Sequence, residues 1–162
     1  DKLGIGYRAE QILVEMDSYL DSRNPSGHSA TQRLEYWRVA WGIITDHPVL
    51  GVGTGDVQKS FDLYYEKMDS KLEKQFRRRA HNQYLSITVA LGFLGLTVFL
   101  FSLLFPVYSS SFKPGFFYSI FLLIAMISML TEDTLETQAG VSFFAFFNAL
   151  LLFSQPKNSK EE

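Results

Sequence analysis

A long stretch of sequence with almost no charged side chains limits the fold of this chain more than any other feature. Between Leu85 and Thr131 the only charged residue is Lys113, and the first uncharged run, Leu85–Phe105, is about 21 residues long. A helix needs roughly 20 predominantly apolar residues to cross the hydrocarbon core of a bilayer. The alternative is a soluble bundle with buried helices, but soluble cores seldom hold an uncharged run of this length. The run therefore predicts a transmembrane helix.

Two further apolar runs predict an all-α integral membrane protein with three transmembrane helices. Pro106 is expected to end the first helix, because proline removes a backbone donor and clashes with the preceding turn. The remaining boundaries follow from polar and glycine-rich breaks. The predicted order is a helical water-facing head at 1–84, transmembrane helices at 85–105, 115–130 and 140–154, turns at 106–114 and 131–139, and a tail at 155–162.

Lysines predict the orientation of these helices. Lys113 lies in the 106–114 turn, and Lys157 and Lys160 lie in the tail. Short loops rich in Lys and Arg stay in the cytoplasm. The 106–114 turn and the tail are therefore predicted to be cytoplasmic, and the head and the 131–139 turn to lie outside.

The composition excludes several kinds of function. The net charge of −2 gives no basic field that would bind nucleic acid. The chain contains no cysteine, which excludes disulfides and thiolate metal sites. It begins at Asp1 without a signal peptide, so we expect it to be part of a longer protein.

The head shows two stretches with helical periodicity. Leu34, Trp37, Trp41 and Ile44 predict an amphipathic helix over about 31–46 that ends before Pro48, preceded by a loop at 21–32. The same spacing continues in a second set, which predicts another helix: Val57, Phe61, Tyr64, Met68, Leu72 and Phe76.

A glycine-rich segment, GVGTGD, separates these two stretches. It lacks the preceding strand and the G-x-G-x-x-G spacing of a dinucleotide-binding loop. The favoured interpretation is a tight turn in which Gly51, Gly53 and Gly55 permit positive φ and Asp56 caps the next helix.

Three arginines, Arg77, Arg78 and Arg79, directly precede the first apolar run. They are predicted to lie outside, where the positive-inside rule disfavours them as simple anchors to lipid headgroups. An anionic substrate at the membrane surface would account for them, because arginine binds phosphate through paired hydrogen bonds.

His81 follows this triplet where the helix is expected to begin. The arginines and the positive end of the helix dipole disfavour imidazolium, and a neutral histidine can act as a general base. The alternative is a surface histidine without a functional role. No His or carboxylate lies at a spacing that would let it bind a metal together with His81. At helical spacing one face carries His81, Tyr84, Leu85, Thr88, Gly92 and Gly95, which predicts that the glycines admit a second helix.

Three carboxylates, Glu132, Asp133 and Glu136, lie in the outer 131–139 turn. They are candidates to contact the arginines or to orient an acceptor. Capping or solvation is favoured, because Asp133 and Glu136 have capping-box spacing before the third apolar run.

Two ordered motifs resemble those of the O-antigen ligase and O-antigen polymerase superfamily. The first is His81-Asn82, nine residues, Gly92, two residues and Gly95. The second is R-x-x-x-W, from Arg33 to Trp37, followed by AWGIITDHPVLGVGTG. The resemblance covers most of the chain from Arg33 onward.

This resemblance implies a multi-pass glycosyltransferase of the bacterial inner membrane with its active site facing the periplasm. The donor would be an undecaprenyl-diphosphate-linked glycan, and the acceptor a hydroxyl of lipid A core, another glycan or a protein. The family implies no metal or cofactor. By this likeness His81 matches the catalytic histidine and Arg33 the arginine of the loop motif, with Arg38 one turn later as a lesser candidate. Asn82, Tyr84, Gly92 and Gly95 would support the site.

On this basis His81 is expected to deprotonate the acceptor hydroxyl, while Arg33, with Arg38 and the triplet, stabilises the departing diphosphate. The acceptor distinguishes a ligase from a polymerase or a protein O-oligosaccharyltransferase of the same superfamily. A non-enzymatic receptor or transporter subunit is the alternative from another class. It would explain the apolar spans but not the cations and histidine at the outer rim.

Overall fold

The computed structural model describes residues 29–109 and 115–154, and in addition the helical residues Gly6, Glu10, Gln11, Leu13, Val14 and Asp17. Within the two long ranges the chain is helical and contains no strand, which confirms the predicted all-α fold. The helices are α1 (Ser29–Asp46), α2 (Val57–Lys67), α3 (Gln83–Tyr108), α4 (Phe116–Ser128) and α5 (Gln138–Phe153). Lys113, Lys157 and Lys160, on which the orientation was predicted, lie outside the described residues.

Helix α1 is the centre of the head. It ends at Asp46, as predicted, because Pro48 disfavours the helical conformation at the residue before it. It begins earlier than predicted, at Ser29, so the loop prediction for 21–32 is wrong at its end; residues 21–28 lie outside the described part. Ile44 is buried as predicted, but Trp41 is 56% exposed, and the rest of the buried face is formed by Tyr36, Val39, Ala40 and Ile43.

Helix α2 is shorter than its periodic pattern predicted, because it ends at Lys67. Asp69 adopts a left-handed φ of 45°, the Asp69 N–H donates to the Glu66 carbonyl, and the Ser70 N–H donates to the Tyr65 carbonyl. These bonds form a Schellman motif, which terminates a helix and satisfies its last carbonyls. The later members of the pattern therefore lie in irregular chain, although Leu72 still packs into the core of the head.

Helix α3 extends past both of its predicted ends, from Gln83 to Tyr108, and Pro106 lies inside it. The prediction that Pro106 breaks the helix is therefore wrong. The proline is two residues from the C-terminus of the helix, so it removes only one backbone hydrogen bond there. The Ser109 N–H donates to the Phe105 carbonyl and closes the last turn.

Of the helices in the described ranges, only α3 is long and apolar enough to cross a membrane. Helices α4 and α5, at 13 and 16 residues, are apolar but shorter. They occupy the predicted second and third apolar runs within two residues at each end, and α4 and α5 pack together around Tyr118, Leu122 and Leu152.

The regular hydrogen-bond pattern of α3 is interrupted at Gly92, which has φ 68° and ψ −172°. The carbonyls of Val89 and Ala90 accept from the N–H groups of Val52 and Gly53, both at 2.9 Å. On the other side of the break, the N–H groups of Phe93 and Leu94 donate to the carbonyls of Pro48 and Val49, at 2.8 and 3.3 Å. Two intrahelical hydrogen bonds are thus replaced by four to the turn that follows α1.

This arrangement corrects the prediction for Gly92, where a turn and not a second helix packs against α3. A Cβ at Gly92 would overlap the Val49 carbonyl, and one at Gly51 would lie 2.5 Å from the Ala90 carbonyl carbon. Gly95 instead faces the Leu91 side chain of its own helix. The glycines of the turn behave as predicted at Gly51 and Gly53, which have positive φ, and what approaches them closely is α3.

Candidate active site at the N-terminal end of α3

Three aromatic side chains hold the segment that leads to His81. The Tyr36 hydroxyl donates to the Phe76 carbonyl at 2.9 Å, the Tyr65 hydroxyl to the Arg78 carbonyl at 2.7 Å, and Trp37 Nε1 to the Ala80 carbonyl at 2.9 Å. Buried aromatic residues with polar tips require such partners. The irregular 76–80 segment is therefore attached to α1 and α2 through its carbonyl groups. Sequence reasoning identified Trp37 by its spacing from Arg33 but did not single out Tyr36 or Tyr65.

His81 lies outside α3, two residues before its first turn. Its backbone has a left-handed φ of 46°, a conformation that histidine adopts more readily than most residues. The imidazole ring packs against Tyr36 with 5.9 Å between ring centroids. Its Nδ1 lies 3.8 Å from a carboxylate oxygen of Glu132, which is within ion-pair range but too long for a hydrogen bond.

Two guanidinium groups influence the residues around this histidine. Arg33 pairs with Glu132 at 3.2 Å, so Arg33 and His81 share one carboxylate. Burial raises the pKa of the Tyr36 hydroxyl, and the positive charges of Arg78 and Arg33 partly oppose that shift. Both arginines therefore act on the ring that packs against His81. Among the residues that the structure describes, no carboxylate pairs with Arg78.

Every carboxylate of the 131–137 turn is bound to the head or to α3. Glu136 pairs with Arg79 at 3.0 Å, and Asp133 accepts a hydrogen bond from the Ser86 hydroxyl at 2.7 Å. The predicted capping role is wrong, because the Thr137 side chain caps α5 by accepting from the Gly140 N–H. Asp56, likewise, occupies the N-cap position of α2 but makes no side-chain cap hydrogen bond.

Asn82 and Gln83 fasten α3 to the end of α4 and the turn after it. The Asn82 side chain accepts from the N–H groups of Tyr84 and Leu85, as an N-cap does, and its amide donates to the Leu130 carbonyl at 2.9 Å. The Gln83 carbonyl oxygen accepts from the Leu135 N–H at 2.6 Å. The Tyr84 hydroxyl donates to the Met126 carbonyl at 2.8 Å. Glu132 lies between Leu130 and Leu135, whose backbone groups bind Asn82 and Gln83. These two bonds hold Glu132 beside His81.

We expect Asn82→Ala to destabilise the protein by about 1–2 kcal/mol, because it removes both the helix cap and the amide donor to Leu130. Asn82→Asp is the matched control, since its carboxylate still caps the helix but cannot donate to Leu130. Thermal unfolding in detergent should rank the wild type above Asn82→Asp and Asn82→Ala last. Equal stability of Asn82→Ala and the wild type would contradict both roles.

The other two predicted arginines lie in separate ion pairs. Arg38 binds the buried Glu35 carboxylate through Nε and one terminal nitrogen, at 2.8 and 2.6 Å. Arg77 is largely buried, lies over the Tyr65 ring, pairs with Glu66 and donates to the Leu72 carbonyl at 3.0 Å. The structure therefore links Arg33 to His81 through Glu132 and places Arg38 and Arg77 in contacts within the head.

An open cavity of about 440 Å³ lies at the surface beside His81. It is lined by His81, Glu132, Asp133, Thr134, Glu136 and Thr137. Its rim combines a potential proton acceptor, carboxylates that can bind hydroxyl groups, and the arginines paired with them. Within the described ranges, no three His, Asp or Glu side chains are grouped as metal ligands. The arrangement can hold a polar acceptor next to an imidazole.

Comparison with known proteins identifies the family. The family model described as O-antigen ligase matches residues 7–100, which is more than half of the chain. No curated protein matches the sequence. The matched range includes α1, the turn packed against Gly92, the arginine triplet and His81. The chain therefore belongs to the O-antigen ligase family, whose members are membrane-associated.

Proposed function

We propose that this chain carries the catalytic head of a membrane glycosyltransferase that moves a glycan from undecaprenyl diphosphate to an acceptor hydroxyl. The observation that supports this best is His81, an imidazole at the rim of a polar cavity, with Glu132 beside it and Arg33 paired with that carboxylate. A base beside cations at the outer end of an apolar helix suits a reaction whose leaving group is a lipid diphosphate.

In this mechanism His81 takes the proton of the acceptor hydroxyl. The oxygen attacks the anomeric carbon as the bond from that carbon to the diphosphate oxygen breaks. The lipid diphosphate leaves with the electron pair, and the configuration inverts. A positioned base contributes about 10²–10⁴-fold to such a step.

Glu132 is proposed to position this base. Its carboxylate lies 3.8 Å from Nδ1; in the proposed mechanism the two groups come into hydrogen-bond contact when substrate binds, which fixes N–H at Nδ1 and leaves Nε2 as the proton acceptor. The carboxylate also stabilises the imidazolium formed when the proton is transferred. Arg33 and His81 both contact Glu132. When an anionic substrate binds, the Arg33 guanidinium can leave this carboxylate and pair with the substrate.

Arg33 and Arg78 are proposed to bind the departing diphosphate. We expect Arg33→Ala to lower the transfer rate by roughly 10²-fold, in the range found when one donor to a developing anion is removed. Arg33→Lys should recover only part of the rate, because ammonium cannot reproduce the paired guanidinium geometry. Initial rates with purified lipid-linked donor test this, with Lys59→Ala, an exposed cation on α2, as control. Full activity of Arg33→Lys would indicate that charge alone suffices.

We further propose that α3, α4 and α5 all lie in the bacterial inner membrane, with the head and the 131–137 turn on the periplasmic side. Contacts between Arg33 and Glu132 and between Arg79 and Glu136 require the head and this turn to lie on the same side of the membrane.

Removing the protein from cells tests the proposed reaction. A ligase predicts loss of polymeric glycan from lipid A core and accumulation of the undecaprenyl-linked donor. Glycans cut to one repeat would indicate a polymerase, and loss of glycan from proteins an oligosaccharyltransferase. Unchanged surface glycans and unchanged donor would contradict the proposal.

A further inference from the structure

Apolar side chains project from the turn that fills the break in α3. Val49 and Leu50 are 65% and 69% exposed, although both are aliphatic. Leu50 also lines an apolar groove of about 460 Å³ along α3, with Ile87, Leu91, Leu94, Gly95, Val98 and Phe99. The exposed surface of the turn is therefore continuous with the apolar face of the one helix able to span a bilayer.

Hydrogen bonds between the turn and α3 fix how far along α3 this exposed apolar surface lies. Backbone bonds hold Pro48 and Val49 beside Phe93 and Leu94, about ten residues into α3. Before this level α3 contributes buried residues to the head, including Val89 and Ala90. After it, the apolar side chains Leu94, Val98, Phe101 and Phe105 are exposed. The part of α3 after Gly92 is about 16 residues, or roughly 24 Å at 1.5 Å per residue, which is shorter than a typical core of about 30 Å, a mismatch that a bilayer accommodates by local thinning.

Part of the turn's backbone is already hydrogen-bonded, as an apolar environment requires, although no bond is seen from the Val49 and Leu50 N–H groups to the described residues. Unpaired backbone polar groups are costly in lipid. Here the Pro48 and Val49 carbonyls and the Val52 and Gly53 N–H groups all pair with α3, and Pro48 has no N–H to satisfy.

From this register we propose that Pro48–Leu50 is a membrane-inserted turn whose partner is the acyl region of the outer leaflet. The hydrocarbon boundary then passes near Gly92, not at Leu85. The first turns of α3 stand above it with the head, which keeps His81 at headgroup level, where a lipid-borne diphosphate lies. The inference rests on α3 spanning the membrane with the head on the periplasmic side, as proposed above, but not on glycosyl transfer.

Because the natural sequence has no cysteine, single spin labels can report the depth of each position. Leu50→Cys, Leu94→Cys and Thr54→Cys would be labelled in protein reconstituted in phosphatidylethanolamine and phosphatidylglycerol vesicles, with Phe101→Cys as the reference within the bilayer. Power saturation should show labels at 50 and 94 relaxed mainly by oxygen, as at 101. The label at exposed Thr54 should be relaxed mainly by a water-soluble nickel chelate.

Two outcomes would overturn the inference. Relaxation of the Leu50 label by the nickel chelate would place the turn in water, and low access to both reagents would show that protein covers it. Val49→Cys repeats the measurement should Leu50→Cys fail to fold. Aqueous exposure at Phe101 would instead reject the span itself. Since none of these readouts uses catalysis, they remain informative even if the proposed reaction fails.

Discussion

Gly92→Ala is expected to destabilise the protein by about 3 kcal/mol or more and to abolish glycan transfer. The residue has φ 68° and ψ −172°, a region that is essentially restricted to glycine and costs other residues about 1–3 kcal/mol. In addition, the new Cβ would overlap the Val49 carbonyl, which is backbone and cannot rotate away. Relief requires separating the 48–53 turn from α3 and losing up to four hydrogen bonds, each worth about 1 kcal/mol.

Thermal unfolding in detergent measures the stability loss, and Gly55→Ala provides the matched control. Gly55 lies in the same glycine-rich turn, but it has no positive φ and no atom within 4 Å of an added Cβ. We expect the control to unfold near the wild-type temperature and to retain transfer. If Gly92→Ala were as stable as Gly55→Ala, the break in α3 would not be needed for the fold.

The break itself was not predictable from the sequence. The apolar run around Gly92 correctly predicts a helix, and glycine in such a run is typical of close helix packing. What replaces the missing intrahelical bonds is a turn about 40 residues earlier, and only the folded chain shows that partner. The helix ends show the same limit: Pro48 fixes the end of α1 locally, whereas α2 ends through the left-handed Asp69, which its apolar periodicity does not indicate.

The outer arginines posed a conflict at the level of sequence, because clustered cations are normally cytoplasmic. In the folded chain Arg77 and Arg79 pair with Glu66 and Glu136, and Arg33 pairs with Glu132 across 99 positions of sequence. Contact between the carboxylates and the arginine triplet, one of the alternatives raised from the sequence, is found for Glu136 and Arg79, whereas the pair of Arg33 and Glu132 was not predicted. The cluster is therefore mostly neutralised locally, and the argument for an anionic substrate now depends on Arg78 and Arg33.

The second large effect is expected at His81, where substitution should lower transfer by about 10²–10⁴-fold, the contribution of a positioned base. His81→Ala removes the imidazole, but alanine disfavours the left-handed φ of 46°. His81→Asn is therefore the more informative variant, because asparagine tolerates this conformation and supplies no base. Both variants should still bind the lipid-linked donor, since Arg33 and Arg78 are unchanged.

Single-turnover assays with purified donor and acceptor separate this loss from a folding defect. The rate of the chemical step should fall for His81→Asn while its unfolding temperature stays close to that of the wild type. Added imidazole should restore part of the rate of His81→Ala, because it can occupy the vacated space beside Tyr36 and Glu132. Glu132→Gln should give a smaller loss that imidazole does not rescue, since the base is present but less well oriented. A stably folded His81→Asn protein with a wild-type rate would exclude this histidine as the base, and the search would then move to the carboxylates Asp133 and Glu136 that line the same cavity.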